Sequence, residues 1–381
     1  MKVYLDNAAT TKIDPVVLEE MMPYFTEFFG NPSSIHAFGR KPKSAIEKAR
    51  KAVAKYLNAS TSEIFFTSGG TESNNMIIKR SITDLGVQRI ITSPAEHHCV
   101  LHSTEAVEKL GIHVDYVKLD NKGNVDYNHL EELLANDSRK TLVTIMHANN
   151  EIGSMTDMEK IAELCAKYNA YYHSDTVQTI GYFPFDVQKT KVHFLSGASH
   201  KFHGPKGCGF IYISSGAMVK PYLDGGAQER NMRAGTENIY GIVGLGRALE
   251  LAAENMQANR EHIEALKKHM ISRLQEEIPG VKFNGDVENG HYRVLNVALP
   301  PNGKSDLMLF NLDIAGIAAS AGSACSSGSD IGSHVLKSIN ADPACSNIRF
   351  SFSRFNTMDE IDYAVDKLKE IMEIKVEEKV G

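Results

Sequence analysis

The chain has 381 residues, 42% hydrophobic and 23% charged, an ordinary composition for a folded protein and enough length for two cores. A formal charge of −6 offers no basic field for nucleic acid, and no apolar run is long enough to span a bilayer. Five cysteines, Cys99, Cys165, Cys208, Cys325 and Cys345, lack CxxC spacing, which argues against a disulfide framework or a structural zinc site and leaves a reactive thiol as the expected use.

The opening residues have no signal-peptide character, so the cytosol is the expected compartment. Residues 3–11 read as a short strand entering a small-residue turn, and Asp14-Pro15 as a helix start. Gly30-Asn31-Pro32-Ser33-Ser34 breaks the chain, and apolar positions at helical spacing predict a helix over 44–57. A strand at 64–67 ends in Ser68-Gly69-Gly70-Thr71 and a helical pattern, the arrangement that points backbone N–H groups at a phosphate.

Further strands are expected at 89–92, 113–118, 141–147 and 170–174, with helices between them. That alternation implies a mainly parallel sheet covered on both faces, with ligands at the carboxyl ends of its strands. Asp175 directly follows one such strand. A carboxylate there can hold a protonated pyridine nitrogen, or it can simply cap a helix. Apolar runs at 192–195 and 210–213 flank Gly197-Ala198-Ser199-His200-Lys201-Phe202-His203-Gly204, which puts Lys201 in a tight turn between buried strands. A buried amine loses its proton easily and can condense with a carbonyl, whereas a solvated hairpin lysine would do neither. The glycine turn, Asp175 and Lys201 occur in the order a pyridoxal phosphate (PLP) site requires.

A helical pattern over 243–277 leads away from this sheet. A strand at 293–299, a helix at 306–313 and a terminal helix at 359–376 follow, which fits a smaller α/β unit. The expected division is a large PLP-binding domain of residues 13–258 and a small domain of residues 1–12 and 259–381 carrying the Cys325 loop. The small residues Ala319-Ser320-Ala321-Gly322-Ser323-Ala324-Cys325-Ser326-Ser327-Gly328 cannot pack a core, so that loop is expected to be exposed and mobile.

The glycine turn, aspartate and lysine together resemble the aminotransferase-like, fold type I PLP enzymes. The likeness narrows with residues 4–11, residues 67–75, Ala95-Glu96-His97, His147-Ala148-Asn149-Asn150-Glu151-Ile152-Gly153, residues 199–207, Arg233-Ala234-Gly235-Thr236-Glu237-Asn238 and Gly322-Ser323-Ala324-Cys325. These segments span nearly the whole chain and resemble the NifS/IscS group of cysteine desulfurases.

The resemblance implies that Lys201 carries PLP, Asp175 pairs with its ring nitrogen, and Gln178 and Asn150 lie beside the phenolate oxygen. Gly70, Thr71 and His200 would bind the phosphate, and Thr236 would reach the phosphate in a partner subunit, making a homodimer obligatory. His97 would stack on the ring and shuttle protons, a task that suits imidazole. Metal ligation by His97, His98 and Cys99 is disfavoured, because no second cluster completes a site.

Arg349 would bind the substrate carboxylate with its planar fork. Cys325 would take sulfur from L-cysteine as a persulfide, release L-alanine and pass the sulfur to acceptors such as an iron–sulfur scaffold or tRNA-thiolation proteins. A selenocysteine lyase is the alternative on the same scaffold. Many relatives carry a serine phosphate ligand where this chain has Ala198, and Ser199 beside it is expected to point elsewhere.

Overall fold

The computed structural model describes residues 1–301, 307–321 and 332–373. The chain opens with β1 (Val3–Tyr4), and the next seven strands build one sheet: β2 (Ile64–Thr67), β3 (Arg89–Thr92), β4 (His113–Tyr116), β5 (Thr141–Thr144), β6 (Tyr171–Asp175), β7 (Phe194–Ala198) and β8 (Gly209–Ile213). Their order is β2-β8-β7-β6-β5-β3-β4. Only β8 runs against its neighbours, so the other six strands point their carboxyl ends to the same edge of the sheet.

Both faces are covered, and the strand residues show it by alternation. Phe65, Ile90, Leu142, Phe194 and Ile211 pack with Met76, Ile77 and Val100 from the helices Gly70–Leu85 and His98–Glu108. Phe66, Ile91, Val143, Leu195 and Tyr212 pack instead with Val53, Leu57, Leu245 and Leu249 from the helices Ala37–Leu57 and Ile239–Glu254. Buried on both sides, these strands carry apolar residues consecutively, which is why short apolar runs marked them in the sequence.

A second, antiparallel sheet combines β9 (Lys282–Asn284), β10 (Val294–Leu299) and, after β11 (Ile317–Ala318), β12 (Ser346–Ser351) in the order β12-β10-β9. β11 pairs in parallel with β1, so the first residues of the chain join this later part.

Several expectations change at element ends, and the strand expected over 141–147 stops at Thr144. The helix expected at 44–57 starts at Ala37, with Pro42 inside it. Gly39 and Pro42 look like breakers, yet Gly39 is required by packing: a Cβ there would lie 2.3 Å from the Ser34 carbonyl oxygen. The continuous helix expected over 243–277 is two helices, Ile239–Glu254 and Met256–Glu277, broken at Asn255, whose Nδ2 donates to the Leu251 carbonyl. The first packs on Ala37–Leu57 and the second on the terminal helix Met358–Ile371, so tertiary partners set the break. The strand expected over 113–118 ends at Tyr116. Asp14 caps the helix Pro15–Met21 as expected, accepting from the Val16 N–H at 2.8 Å.

Candidate active site

Nine of the expected site residues meet at one cavity of about 250 Å³, eight of them at or just after the carboxyl ends of β2, β3, β5, β6 and β7. Gly70, Thr71, His97, Asn150, Asp175, Gln178, His200, Lys201 and Arg349 all line it. Thr236 does not; it is exposed on the surface of this chain. Cys325 and the Gly322-Ser323-Ala324 that precede it lie outside the described residues.

Lys201 closes a single helical turn, Ser199–Lys201, between β7 and β8. Its Nζ donates to the main-chain carbonyls of Ala8 and Ala9, at 2.7 and 2.8 Å, with no carboxylate taking either bond. Burial, then the positive charges of Arg293 and Arg349, pull its pKa down to about 7, against the pull of Asp175 and Asp6. An amine so placed is half neutral at neutral pH, the condition for attack on a carbonyl or for taking a proton.

Asp175 ends β6. One carboxylate oxygen accepts from Asn74 Nδ2 at 2.6 Å and the other from the Val177 N–H at 2.9 Å. It therefore makes the turn expected of a cap and also faces the cavity. Behind Asn74 stands a buried chain that no local pattern announced: Asn74 Oδ1 accepts from Ser196, Ser196 meets His173 Nε2, and His173 Nδ1 meets Thr144. Burial takes His173 down to about 4, so it works as a neutral link.

At the other end, the helix Gly70–Leu85 presents its N-terminus. Gly69 has φ +152°, and a Cβ on Gly70 would come within 2.5 Å of a Val177 methyl, so both positions need glycine. The N–H groups at that end point to where an anion would be received. His200 stands beside that end with Nδ1 3.1 Å from the Thr10 hydroxyl. Burial, with Lys201 and Lys206, brings its pKa down to about 4, which makes it a neutral donor. Ser199 is fully buried and its hydroxyl donates to the Pro205 carbonyl, so it does not replace a phosphate ligand at Ala198.

His97 caps the helix His98–Glu108: its Nδ1 accepts from the Cys99 N–H and lies 3.0 Å from the Cys99 sulfur. With Nδ1 so occupied, the neutral ring carries its proton on Nε2. Burial, opposed by Asp175 and reinforced by Lys201, lowers its pKa. Cys99 also lines the cavity, yet burial raises its thiol to about 12, which leaves it inert.

Arg349, on β12, is buried. Nη2 pairs with Asp6 at 2.7 Å, Nη1 donates to the Asn150 carbonyl at 2.9 Å, and Nε has no partner among the described residues. Asp6 escaped the sequence reading, since nothing local links residues 343 positions apart. Arg354, five residues beyond Arg349, pairs with Asp14 and does not line the cavity.

The residues fit PLP. Gln178 lines the cavity, with its Nε2 donating to the Ala8 carbonyl at 3.0 Å. The N-terminus of the helix Gly70–Leu85, a carboxylate and a poorly protonated lysine converge there with it. That set complements a phosphate, a pyridine nitrogen and an aldehyde.

Residues 3–364 match the family described as aminotransferase class-V. The chain is 43% identical over 377 residues to the cysteine desulfurase IscS of Dictyoglomus turgidum, covering 98% of this chain and 95% of that one. It is also 43% identical to the cysteine desulfurase IscS of Clostridium botulinum, over 97% of this chain and 94% of the relative. A solved structure described as a NifS-like protein superposes with a TM-score of 0.91 at 38% identity, covering 98% of this chain and 100% of the other.

Proposed function

This chain belongs to the NifS/IscS group of cysteine desulfurases, PLP-dependent enzymes of the aminotransferase class-V family, and from that membership we propose how its own residues divide the work. PLP bound through Lys201 supplies an electron sink at the substrate α-carbon. Gly70, Thr71 and His200 would hold its phosphate, and Asp175, its carboxylate fixed by Asn74 and the Val177 N–H, would pair with the ring nitrogen. Gln178 and Asn150 hold the phenolate edge. Arg349 takes the carboxylate of L-cysteine by exchanging its bond to Asp6, and the Lys201 amine takes the α-proton. His97 offers Nε2 as the proton carrier.

Sulfur goes to Cys325. An S–S bond to the Cys325 thiolate forms as the substrate C–S bond breaks, so L-cysteine and a thiol become L-alanine and a persulfide with no outside oxidant or reductant. The flanks of residues 322–331 support this reading. Ser320 exchanges main-chain bonds with Arg349 and donates to Asp6, while Ser333 donates to Glu151 and His334 to the Glu96 carbonyl next to His97. Both described ends of the stretch are thus tied at the cavity.

The division into residues 13–258, which hold the cofactor, and residues 1–12 with 259–381, which bring Arg349 and Cys325, belongs to the same reading. So does a homodimer in which Thr236 serves the phosphate of the partner. Its support is exposed apolar surface: Phe25 stacks at 4.2 Å on Tyr240, four residues beyond Thr236, Phe29 lies against Phe38, and Ile35 is 92% exposed. No helix among the described residues is long and apolar enough to cross a membrane. A cytoplasmic enzyme delivering sulfur to iron–sulfur assembly or tRNA thiolation follows from the IscS likeness.

The observation that carries the proposal is the Lys201 amine held on two carbonyls in the cavity that Asp175 and His97 share. The test is PLP-loaded protein given L-cysteine. Equal amounts of alanine and Cys325 persulfide are expected, and pyruvate with ammonia in place of alanine would refute the proposal.

A further inference from the structure

Arg293, just before β10, has 0% of its surface exposed, and no carboxylate among the described residues pairs with it. Two of its nitrogens end on main-chain carbonyls: Nη1 on Lys201 at 2.8 Å and Nη2 on Asn7. Nε has no partner among the described residues. The guanidinium lies 4.3 Å from the centre of the Tyr182 ring, and the Tyr182 hydroxyl donates to the same Lys201 carbonyl at 2.8 Å. Burying a cation without a counter-ion costs stability, about several kcal/mol, and an apolar side chain would avoid that cost. Stability therefore does not account for an arginine here.

Its two carbonyls belong to the two segments that meet at the Lys201 amine. One is the main chain of Lys201, and the other is the turn whose Ala8 and Ala9 carbonyls accept from Nζ. We propose that Arg293 is a positioning residue for Lys201, which clamps the lysine to the turn that cradles its amine and disfavours a proton on that nitrogen through an uncompensated like charge.

Among the other charged or titratable groups facing the amine, Arg349 acts in the same direction, but its charge is paired with Asp6. Asp175 and Asp6 oppose that pull, and His97 and His200 are held toward neutrality. After burial, Arg293 is the largest influence pulling Lys201 down, ahead of Arg349.

The inference rests on Lys201 being the PLP-bearing lysine, so the PLP-loaded protein is first reduced with borohydride and mapped. Label on another lysine fails that reading and this one with it. Label on Lys201 leaves this one to be decided by the pH midpoint of the absorbance change of the bound PLP, which reports protonation at the Lys201 nitrogen. Arg293→Gln is expected to raise the midpoint by roughly one unit, whereas Arg293→Lys, which keeps the charge, should stay within about 0.3 unit. A merely structural role would lower the melting temperature of both variants and leave both midpoints in place. An unmoved midpoint in Arg293→Gln, or an upward shift of about one unit in Arg293→Lys, overturns the proposal, and the lysine arm decides even where the glutamine variant does not accumulate.

Discussion

Two lysines in this molecule live in nearly the same local chemistry and do different things. Lys201, in the hairpin between β7 and β8, and Lys267, on the helix Met256–Glu277, are each bonded through Nζ to main-chain carbonyls alone, Ala8 and Ala9 for one, Val287 and His291 for the other. Burial lowers both, to about 7 and about 8. Of the two, only Lys201 lines the cavity with Asp175, His97 and the N-terminus of the helix Gly70–Leu85. A depressed amine pKa is thus no mark of reactivity by itself; the groups that face it decide.

The sharpest way to break that contrast is to remove the chemistry at one site and spare the other. Cys325→Ser should keep PLP on Lys201 while alanine and persulfide formation fall to background, because a hydroxyl is a far poorer nucleophile toward sulfur. Wild-type alanine from this variant in a single turnover would mean a different nucleophile. Lys201→Ala should lose borohydride-fixed PLP and slow alanine formation by at least about 10²-fold. Lys267→Met should retain PLP and turnover, and lose only folding stability, about 1–3 kcal/mol from two buried carbonyls left unbonded. Denaturant unfolding checks that figure, and loss of PLP from Lys267→Met would erase the distinction.

Smaller effects sharpen the same comparison. Asp175→Asn should weaken turnover more than PLP binding, since the phosphate is held elsewhere and one charged hydrogen bond is worth about 1.5–3 kcal/mol. Parallel titration of PLP and assay of alanine would show it, and full activity would leave Asp175 as a turn-former only.

In the PLP-free protein both lysines bind fewer protons folded than unfolded. Melting temperature should therefore rise with pH from about 7 to about 9, above which the thiols of Cys99, Cys165 and Cys208, held protonated by burial, act in the opposite direction. Lys267→Met should flatten the rise above about 8. His147 and His173, both buried and lowered to about 4, act at the acid end: stability is fully present above about 6.5 and is lost as pH falls toward 4.

Much of the large sheet was legible because its strands are buried on both faces and its site residues follow strand ends. β2 and β3 fall where their apolar runs put them, and Gly70, Asp175 and Lys201 reach one cavity from three strand ends. The antiparallel sheet was less so. β9 is three residues long, β12 carries no strand expectation in the sequence, and Arg293 stands there only as the start of a strand. Asp6 meets Arg349 across 343 residues and Arg293 meets Asn7 across 286, and no local spacing encodes such pairs. His97, Gln178 and Arg349 came from family likeness, with no periodicity to mark them.

The central claim is that of all the buried and exposed amines only Lys201 is built to carry PLP. Borohydride reduction of the PLP-loaded wild type, followed by proteolysis and mass spectrometry, tests it most directly. The account predicts the pyridoxyl label on Lys201 alone; label on the exposed Lys206, or on Lys267, would contradict it.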